Sequence, residues 1–275
     1  MATPARSPNS SLFMIALLRY GIKLRNWVIM AEHILDNPAY HGMISGNRNL
    51  SVGTELVRYF PEAVSPFVGL ADFGAERFRE LAEILPAGRA VALATPGRVE
   101  IPSGWDVKIY GPGLQMMWAG ARARGEGVGE RGEDGRVGAA GERGDELTIV
   151  PLRVDHVPQM LALAKLTNPG PFGERTIEFG NFVGVFDGDR LMGMSGHRLH
   201  PVPYIEISGV CVHPDYAGRG LGGALTLYQV ERIQQMGETP ILHVWARNER
   251  AIRLYEHLGF VTQREIHFAF MNRSS

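Results

Sequence analysis

The most constraining feature of the chain is a passage from strand to glycine-rich loop to helix near its C-terminus. Residues 204–213 have the apolar pattern of a buried strand, and a proline turn follows at Pro214. Glycines come next at positions 218, 220, 222 and 223, and they lead directly into an amphipathic helix. Glycines let backbone N–H groups approach an anion closely, and a helix start adds the positive end of its dipole. The passage therefore predicts a pyrophosphate-binding loop.

A dinucleotide-binding fold is one interpretation of this loop. Gly218, Gly220 and Gly223 fit the G-x-G-x-x-G fingerprint, which also requires an acidic residue about 20 positions later, at the end of the next strand. Glu238 has that spacing but precedes the next predicted strand, 240–245. A dinucleotide-dependent oxidoreductase is therefore the weaker alternative.

Two segments resemble another family. Residues 210–222, Val-Cys-Val-His-Pro-Asp-Tyr-Ala-Gly-Arg-Gly-Leu-Gly, resemble the acetyl-CoA pyrophosphate motif of the Gcn5-related N-acetyltransferases, the GNAT superfamily. Residues 248–260 resemble the last helix of that family, and the likeness is to its FR47-like members over roughly 147–271. It implies an acetyl-CoA-dependent N-acetyltransferase in which a primary amine, on a small molecule or a peptide, attacks the thioester directly in a ternary complex. A non-catalytic acyl-CoA-binding sensor is the alternative of another class.

The resemblance also implies which residues contact acetyl-CoA. The family motif usually opens with Gln or Arg where this chain has Ala217, so Arg219 is the candidate for the missing charge. In the family the central strand separates from its neighbour, which leaves the main chain of Val210 and Val212 free to bind the pantetheine arm. Asn248 is expected both to cap the last helix and to reach the cofactor. The full expected set is Val210, Cys211, Val212, Ala217, Gly218, Arg219, Gly220, Leu221, Gly222, Gly223 and Asn248.

Two residues are candidates for proton transfer. Tyr255 occupies the place of the family's tyrosine that donates to the thiolate sulfur, and a phenol is protonated at neutral pH. The other interpretation of Tyr255 is a core aromatic on an amphipathic helix. Glu206 is the candidate base, since it lies 14 residues before Gly220, as the catalytic glutamate does in the histone-acetylating members of the family that the chain resembles. Burial between Ile205 and Ile207 would raise its pKa toward the useful range. The alternative for Glu206 is a structural ion pair with Arg198.

Composition limits which binding partners and which cellular location are expected for the protein. The net charge of −1 offers no basic surface, so no nucleic-acid partner is expected. The single cysteine, Cys211, predicts a reducing, cytoplasmic setting, and its place within a strand predicts a small buried hydrophobe. The histidines show no zinc-like spacing, so no metal is expected. The apolar run 12–18 ends at Arg19, too short for a membrane span, and the first thirty residues either precede a start at Met30 or form a transit peptide.

The order of the predicted elements indicates an α/β (α+β) protein. An uncertain extension over 1–30 precedes a small α/β domain without a cofactor site over 31–118, and a flexible Gly/Arg/Glu linker over 119–146 leads to the acyltransferase domain, 147–275. That last domain is expected to be a mixed sheet with helices on both faces. The expected strands are 89–95, 105–110, 147–152, 181–186, 190–199, 204–213, 240–245 and 264–271, and the expected helices 75–85, 154–166, 221–235 and 249–258. Acceptor specificity is expected in the loop 168–175 and in the N-terminal domain.

Overall fold

The computed structural model describes residues 33–86, 88–120, 136–138 and 146–274. The α-helices in this part of the chain are α1 (Pro38–Ile44), α2 (Ala75–Ile84), α3 (Val157–Thr167), α4 (Leu221–Gln235) and α5 (Glu249–Leu258). The strands are β1 (Val52–Gly53), β2 (Val57–Tyr59), β3 (Val68–Leu70), β4 (Ala90–Thr95), β5 (Trp105–Trp118), β6 (Arg136–Gly138), β7 (Glu146–Thr148), β8 (Val150–Pro151), β9 (Val183–Asp187), β10 (Arg190–His197), β11 (Tyr204–Val212), β12 (Thr239–Trp245) and β13 (Phe260–Arg273).

Eight of the described strands form one mixed sheet in the order β4-β13-β5-β12-β11-β10-β9-β8. Strands β11 and β12 pair in parallel, and their other neighbours in the sheet pair antiparallel. Helix α3 packs on one face, where Met160 and Leu163 share a core with Cys211. Helices α4 and α5 pack on the other face, where Val230 and Leu258 share a second core with other residues of β11 and β12. The predicted mixed sheet with helices on both faces is therefore confirmed.

The prediction of a separate N-terminal domain over 31–118 is wrong, because residues 34–275 form one compact unit. Strand β5 lies between β12 and β13 in the large sheet, where Gly113 is opposite both Trp245 and Ile266. Strands β12 and β13 are joined through α5, and β5 lies between them and pairs antiparallel with both. The sequence predicts an end of β5 at Tyr110, because Gly111, Pro112 and Gly113 have the composition of a turn.

The N-terminal segment also contributes to the core on the α3 face of the large sheet. Strands β1, β2 and β3 form a small antiparallel sheet, which the sequence pattern did not predict. Met43, Phe60 and Phe67 from this segment share a buried cluster with Phe182 and Phe268 of the C-terminal half. Phe67 is thereby held against the large sheet.

The predicted extension and linker fall mostly outside the described residues. None of the extension 1–30 is described. Of the flexible linker predicted over 119–146, the short strand β6 is described, and it pairs antiparallel with β7. No described helix combines the length and the apolar character needed to cross a bilayer.

Candidate active site

A gap in the large sheet is the basis of the candidate site. Strands β11 and β12 pair at only three positions, the last of them Glu206 with Ile241. Beyond this pair β11 remains bonded to β10 as far as Val212, while β12 remains bonded to β5 as far as Trp245. The side chain of His243 is 1% exposed although the residue as a whole is partly exposed, so the accessible part is backbone. We call this opening the strand gap; its unpaired backbone edges can bind an extended ligand.

A bulge in β11 helps to open the strand gap. The register between β10 and β11 shifts between Met194 and Gly196, and Gly209 has a φ of +62°. An extra residue in one strand increases its local twist and bends it. The side chain of Val210 consequently packs with the α4–α5 core, as does Ile207 three positions earlier, while Cys211 faces the α3 core.

The glycine-rich loop follows β11 at one end of the strand gap. Gly218 and Gly220 have φ values of +81° and +75°, a conformation that favours glycine, and Gly220 is the N-cap of α4. A Cβ at either position would have nothing within 4 Å, so the space before the loop is open. The N–H groups of residues 218–223 have no hydrogen-bond acceptor among the described residues. The loop therefore presents free donors at a helix start, as an anion site requires.

The strand gap and the loop open into one cleft of about 970 Å³. Arg198, Arg219 and Arg250 line it, whereas no Asp or Glu occurs among its described lining residues. The cleft thus has the charge, the size and the free backbone donors to hold an anionic, elongated molecule such as an acyl-CoA. The expected cofactor-binding residues that line the cleft are Val210, Cys211, Val212, Ala217, Gly218, Arg219, Gly220, Leu221, Gly222, Gly223 and Asn248.

Tyr255 also lines the cleft, from α5. Its ring lies edge-on to Phe260 at 6.0 Å and packs against the α4–α5 core, so the two interpretations of this residue are compatible. Its hydroxyl has no hydrogen-bond partner in the described part of the chain. Burial, with a smaller effect of Cys211, raises the pKa of Tyr255 to about 12. The phenol is therefore protonated at neutral pH and free to donate.

Glu206 does not line the cleft. Its carboxylate is fully buried and accepts from Arg198 Nε at 2.9 Å, Arg198 Nη2 at 2.5 Å, the Leu199 N–H at 3.2 Å and His243 Nδ1 at 2.8 Å. Burial alone would raise its pKa, but Arg198 and His243 outweigh that effect and hold the pKa of Glu206 well below its usual range. The interpretation of Glu206 as a base is therefore corrected to the structural ion pair with Arg198.

Two further residues have defined local roles. Asn248 caps α5, since its side chain accepts from the Ala251 N–H at 3.2 Å. The Cys211 side chain is buried, and burial raises the pKa of its thiol to about 11 despite a hydrogen bond with Thr167. Such a thiol is protonated and a poor nucleophile. Among the described residues no group of three or more His, Cys, Asp or Glu is arranged to hold a metal ion.

The sequence predicts acceptor specificity in the loop 168–175 and in the N-terminal segment, but it does not identify the aromatic and arginine side chains on the opposite side of the cleft. Its lining includes the loop residues 168–171 together with Phe67, Arg198, Trp245, Phe268 and Phe270. A period of two places Phe268 and Phe270 on one face of β13, so this pair could have been recognised as a unit. Phe67 carries no such signal, because only tertiary packing brings it to the cleft.

Comparison with known proteins agrees with this architecture. The family model for FR47-like proteins matches residues 182–269. A solved structure of a GNAT-family protein from Novosphingobium aromaticivorans is 32% identical, covers 89% of this chain and 100% of its own, and superposes with a TM-score of 0.75. A GCN5-related N-acetyltransferase from Kribbella flavida, 14% identical over 86% of this chain and 94% of its own, shares the fold with a TM-score of 0.56.

Curated relatives match only part of the chain. A mycothiol acetyltransferase from Streptomyces scabiei is 33% identical over 109 residues, which are 39% of this chain and 35% of that protein. Another from Thermomonospora curvata is 40% identical over 82 residues, 30% of this chain and 27% of its own length. The chain thus spans about a third or less of these relatives. The relative from Novosphingobium, in contrast, is matched over its whole length at 32% identity, and the chain therefore belongs to the GNAT family.

Proposed function

We propose that the protein is an acetyl-CoA-dependent N-acetyltransferase that transfers the acetyl group to a primary amine by direct attack in a ternary complex. The strand gap is the observation that carries this proposal. It joins the glycine-rich loop and Tyr255 on one face of the sheet to a second, separate part of the cleft on the other face. Two substrates can therefore meet within the gap. Acetyl-CoA supplies the activated thioester.

The residues of the α4–α5 face bind and orient the donor. Free N–H groups of residues 218–223 bind the pyrophosphate, and Arg219 and Arg250 add positive charge to the cleft. The backbone edges of β11 and β12 bind the pantetheine arm. Tyr255 donates its proton to the departing thiolate, a role for which its raised pKa and unpartnered hydroxyl are suited.

No described carboxylate lines the cleft to accept the amine's proton. Glu206 is ionised but saturated by four donors, and it lies outside the cleft. In the proposed reaction the amine enters in its neutral form, and the rate at subsaturating amine rises with pH until the amine is deprotonated.

The decisive test combines binding and turnover. Acetyl-CoA should raise the melting temperature, and thiol should be released when amines are added. Gly220→Leu should abolish the stabilisation by acetyl-CoA, since a side chain would occupy the anion site. Gly237→Leu is the matched control, because Gly237 has a similar φ of +77° in open space away from the cleft. Equal stabilisation of both variants would show that the loop is not the donor site, and binding without thiol release on any amine would favour the sensor.

A further inference from the structure

We infer that the acceptor is an α-amino compound: its carbonyl or carboxylate oxygen binds Arg198, and its apolar side chain lies against Phe67, Trp245, Phe268 and Phe270. This inference rests on the proposed acetyl transfer and specifies its acceptor. We call the four aromatic residues the aromatic wall. All four, with Arg198, line the part of the cleft on the α3 face of the sheet.

The alternation of side chains along the strands separates the two substrate sites. Val210 of β11 and Tyr255 of α5 pack with the α4–α5 core. Phe67 and Phe268 belong to the α3 core, and Trp245 packs against it. The donor-side residues and the aromatic wall therefore lie on opposite faces, and the strand gap connects them. An acceptor bound at the aromatic wall would approach the thioester through the gap.

Arg198 provides one directed hydrogen-bond donor on the acceptor side. Its Nε and Nη2 bind the carboxylate of Glu206, and its side chain is only 10% exposed. Nη1 has no acceptor among the described residues, and a Cβ on Gly170 would lie 4.0 Å from it, so this nitrogen borders the loop 168–171. The ion pair fixes the guanidinium plane, which aims Nη1 without cost when a ligand binds. A carbonyl or carboxylate oxygen is the partner that such a donor requires.

The aromatic wall surrounds this donor. The guanidinium carbon of Arg198 lies 4.7 Å from the Phe67 ring centroid. The Trp245 ring lies 4.8 Å from Phe268 and 6.3 Å from Phe270. Trp245 and Phe270 are partly exposed, so they retain surface for a ligand. An apolar or aromatic group would bury that surface.

The lack of a described carboxylate in the cleft points to the same class of amine. The α-amino group of a peptide or amino-acid amide has a pKa of about 8, against about 10.4 for a lysine side chain, so a far larger fraction is neutral near pH 7.5. In an α-amino carbonyl compound, the carbon that carries the oxygen is bonded directly to the carbon that carries the amine. One class of acceptor thus accounts for three observations: the free donor on Arg198, the aromatic wall, and the absence of a described carboxylate in the cleft.

A defined order of kcat/KM is expected among simple amines. The values are calculated on the concentration of the neutral amine, so that differences in amine pKa do not affect the comparison. L-Phenylalaninamide should exceed phenethylamine, which lacks the oxygen, and L-alaninamide, which lacks the ring, by about 10-fold or more in kcat/KM. Free L-phenylalanine and the dipeptide Phe-Gly then distinguish an amino acid from a peptide N-terminus as the natural source. Equal values for phenylalaninamide and phenethylamine would overturn the role of the oxygen.

Two variants locate these preferences. Arg198→Lys should lower the ratio of kcat/KM for phenylalaninamide to kcat/KM for phenethylamine by about 10-fold or more. A lysine ammonium that pairs with Glu206 has no second nitrogen with which to bind the acceptor's oxygen. Trp245→Leu should lower the ratio of phenylalaninamide to alaninamide, whereas Trp118→Leu, on β5 and packed against Phe260 away from the cleft, should leave both ratios unchanged. Parallel losses on every amine in Arg198→Lys would assign Arg198 to structure alone. If that variant does not fold, the wild-type order and Trp245→Leu decide.

A binding measurement separates this inference from the proposed function. Calorimetry should show N-acetylphenylalaninamide binding to the CoA-saturated wild-type protein, and weaker binding to Trp245→Leu. Binding without thiol release on any amine would contradict the proposed catalysis but retain the acceptor site. Thiol release with no preference for oxygen or ring would retain the catalysis and refute the acceptor site.

Discussion

Four hydrogen bonds hold the carboxylate of Glu206, and they determine what this residue can do. A carboxylate that is fully buried and ionised depends on its partners, because an isolated charge in the interior is very costly. Arg198 and His243 supply the compensating donors. The same ion pair orients the one free nitrogen of Arg198. Glu206 thus acts by positioning, through Arg198, rather than by taking a proton.

Glu206→Gln should therefore affect stability more than chemistry. Removing one charge of a buried pair typically costs about 3–5 kcal/mol of unfolding free energy. The depressed pKa of Glu206 gives stability that is fully present above its unfolded value near 4.5 and is lost as pH falls below it. The difference in melting temperature between wild type and variant should thus be constant above about pH 5 and shrink in more acidic buffer.

Glu178→Gln is the matched control for this measurement. Glu178 forms an ion pair with Arg175 at 2.6 Å, but on the surface, where such pairs contribute about 0–1 kcal/mol. An activity loss in Glu206→Gln that is confined to low pH, at unchanged stability, would restore the interpretation of Glu206 as a base.

Tyr255→Phe should remove the proposed proton donor while keeping the ring packed. The expected loss in kcat is about 10²–10⁴-fold, with little change in acetyl-CoA affinity. Tyr228→Phe, on α4 and outside the cleft lining, should keep full activity. Steady-state thiol release at varied acetyl-CoA concentration measures kcat and the KM for acetyl-CoA in both variants. Full activity in Tyr255→Phe would leave this residue with its packing role alone.

Strand β5 is the element that joins the two halves of the chain. It pairs with β12 along one edge and with β13 along the other. Gly113 lies between these neighbours, and a Cβ there would be 2.5 Å from the Phe268 ring and 3.0 Å from the Val244 carbonyl oxygen. A glycine is required at this position for steric reasons.

Gly113→Ala should consequently lower the free energy of unfolding by about 1–3 kcal/mol, as overpacking of a core does. Gly111→Ala serves as the control in the same strand, because its nearest atom would be a Trp245 ring carbon at 3.4 Å, an ordinary contact. Urea denaturation of the two variants gives the comparison. Equal stability of both would contradict the pairing of β5 with its neighbours.

Local sequence signals predicted the elements that repeat a simple period, and they failed where tertiary contacts decide. Helices α4 and α5 and strand β12 could be predicted because periodicity and caps mark their ends. The full length of β5 could not, because Pro112 argues against a central strand. In the site, the glycine-rich loop has a local signature. The aromatic wall does not, since its members come from distant parts of the chain.

Residues 34–275 form one compact unit, and this determines how fragments of the chain should behave. Residues 147–275 alone would leave the edges of β12 and β13 unpaired and expose the apolar surface that β5 covers. We expect this fragment to be insoluble or to lack a cooperative thermal transition. A protease cut within 119–146 should instead leave two pieces that elute together. A soluble fragment with a sharp transition would contradict the shared sheet.

In the proposed reaction, acetyl transfer is direct and occurs across the strand gap. A two-step mass-spectrometric experiment tests it. Protein incubated with acetyl-CoA alone should release no thiol and gain no acetyl group, because the buried Cys211 thiol has its pKa raised to about 11. Added L-phenylalaninamide should then yield thiol and N-acetyl product in equal amounts. Acetylated protein before the amine is added, or thiol without N-acetyl product, would contradict direct transfer to the amine.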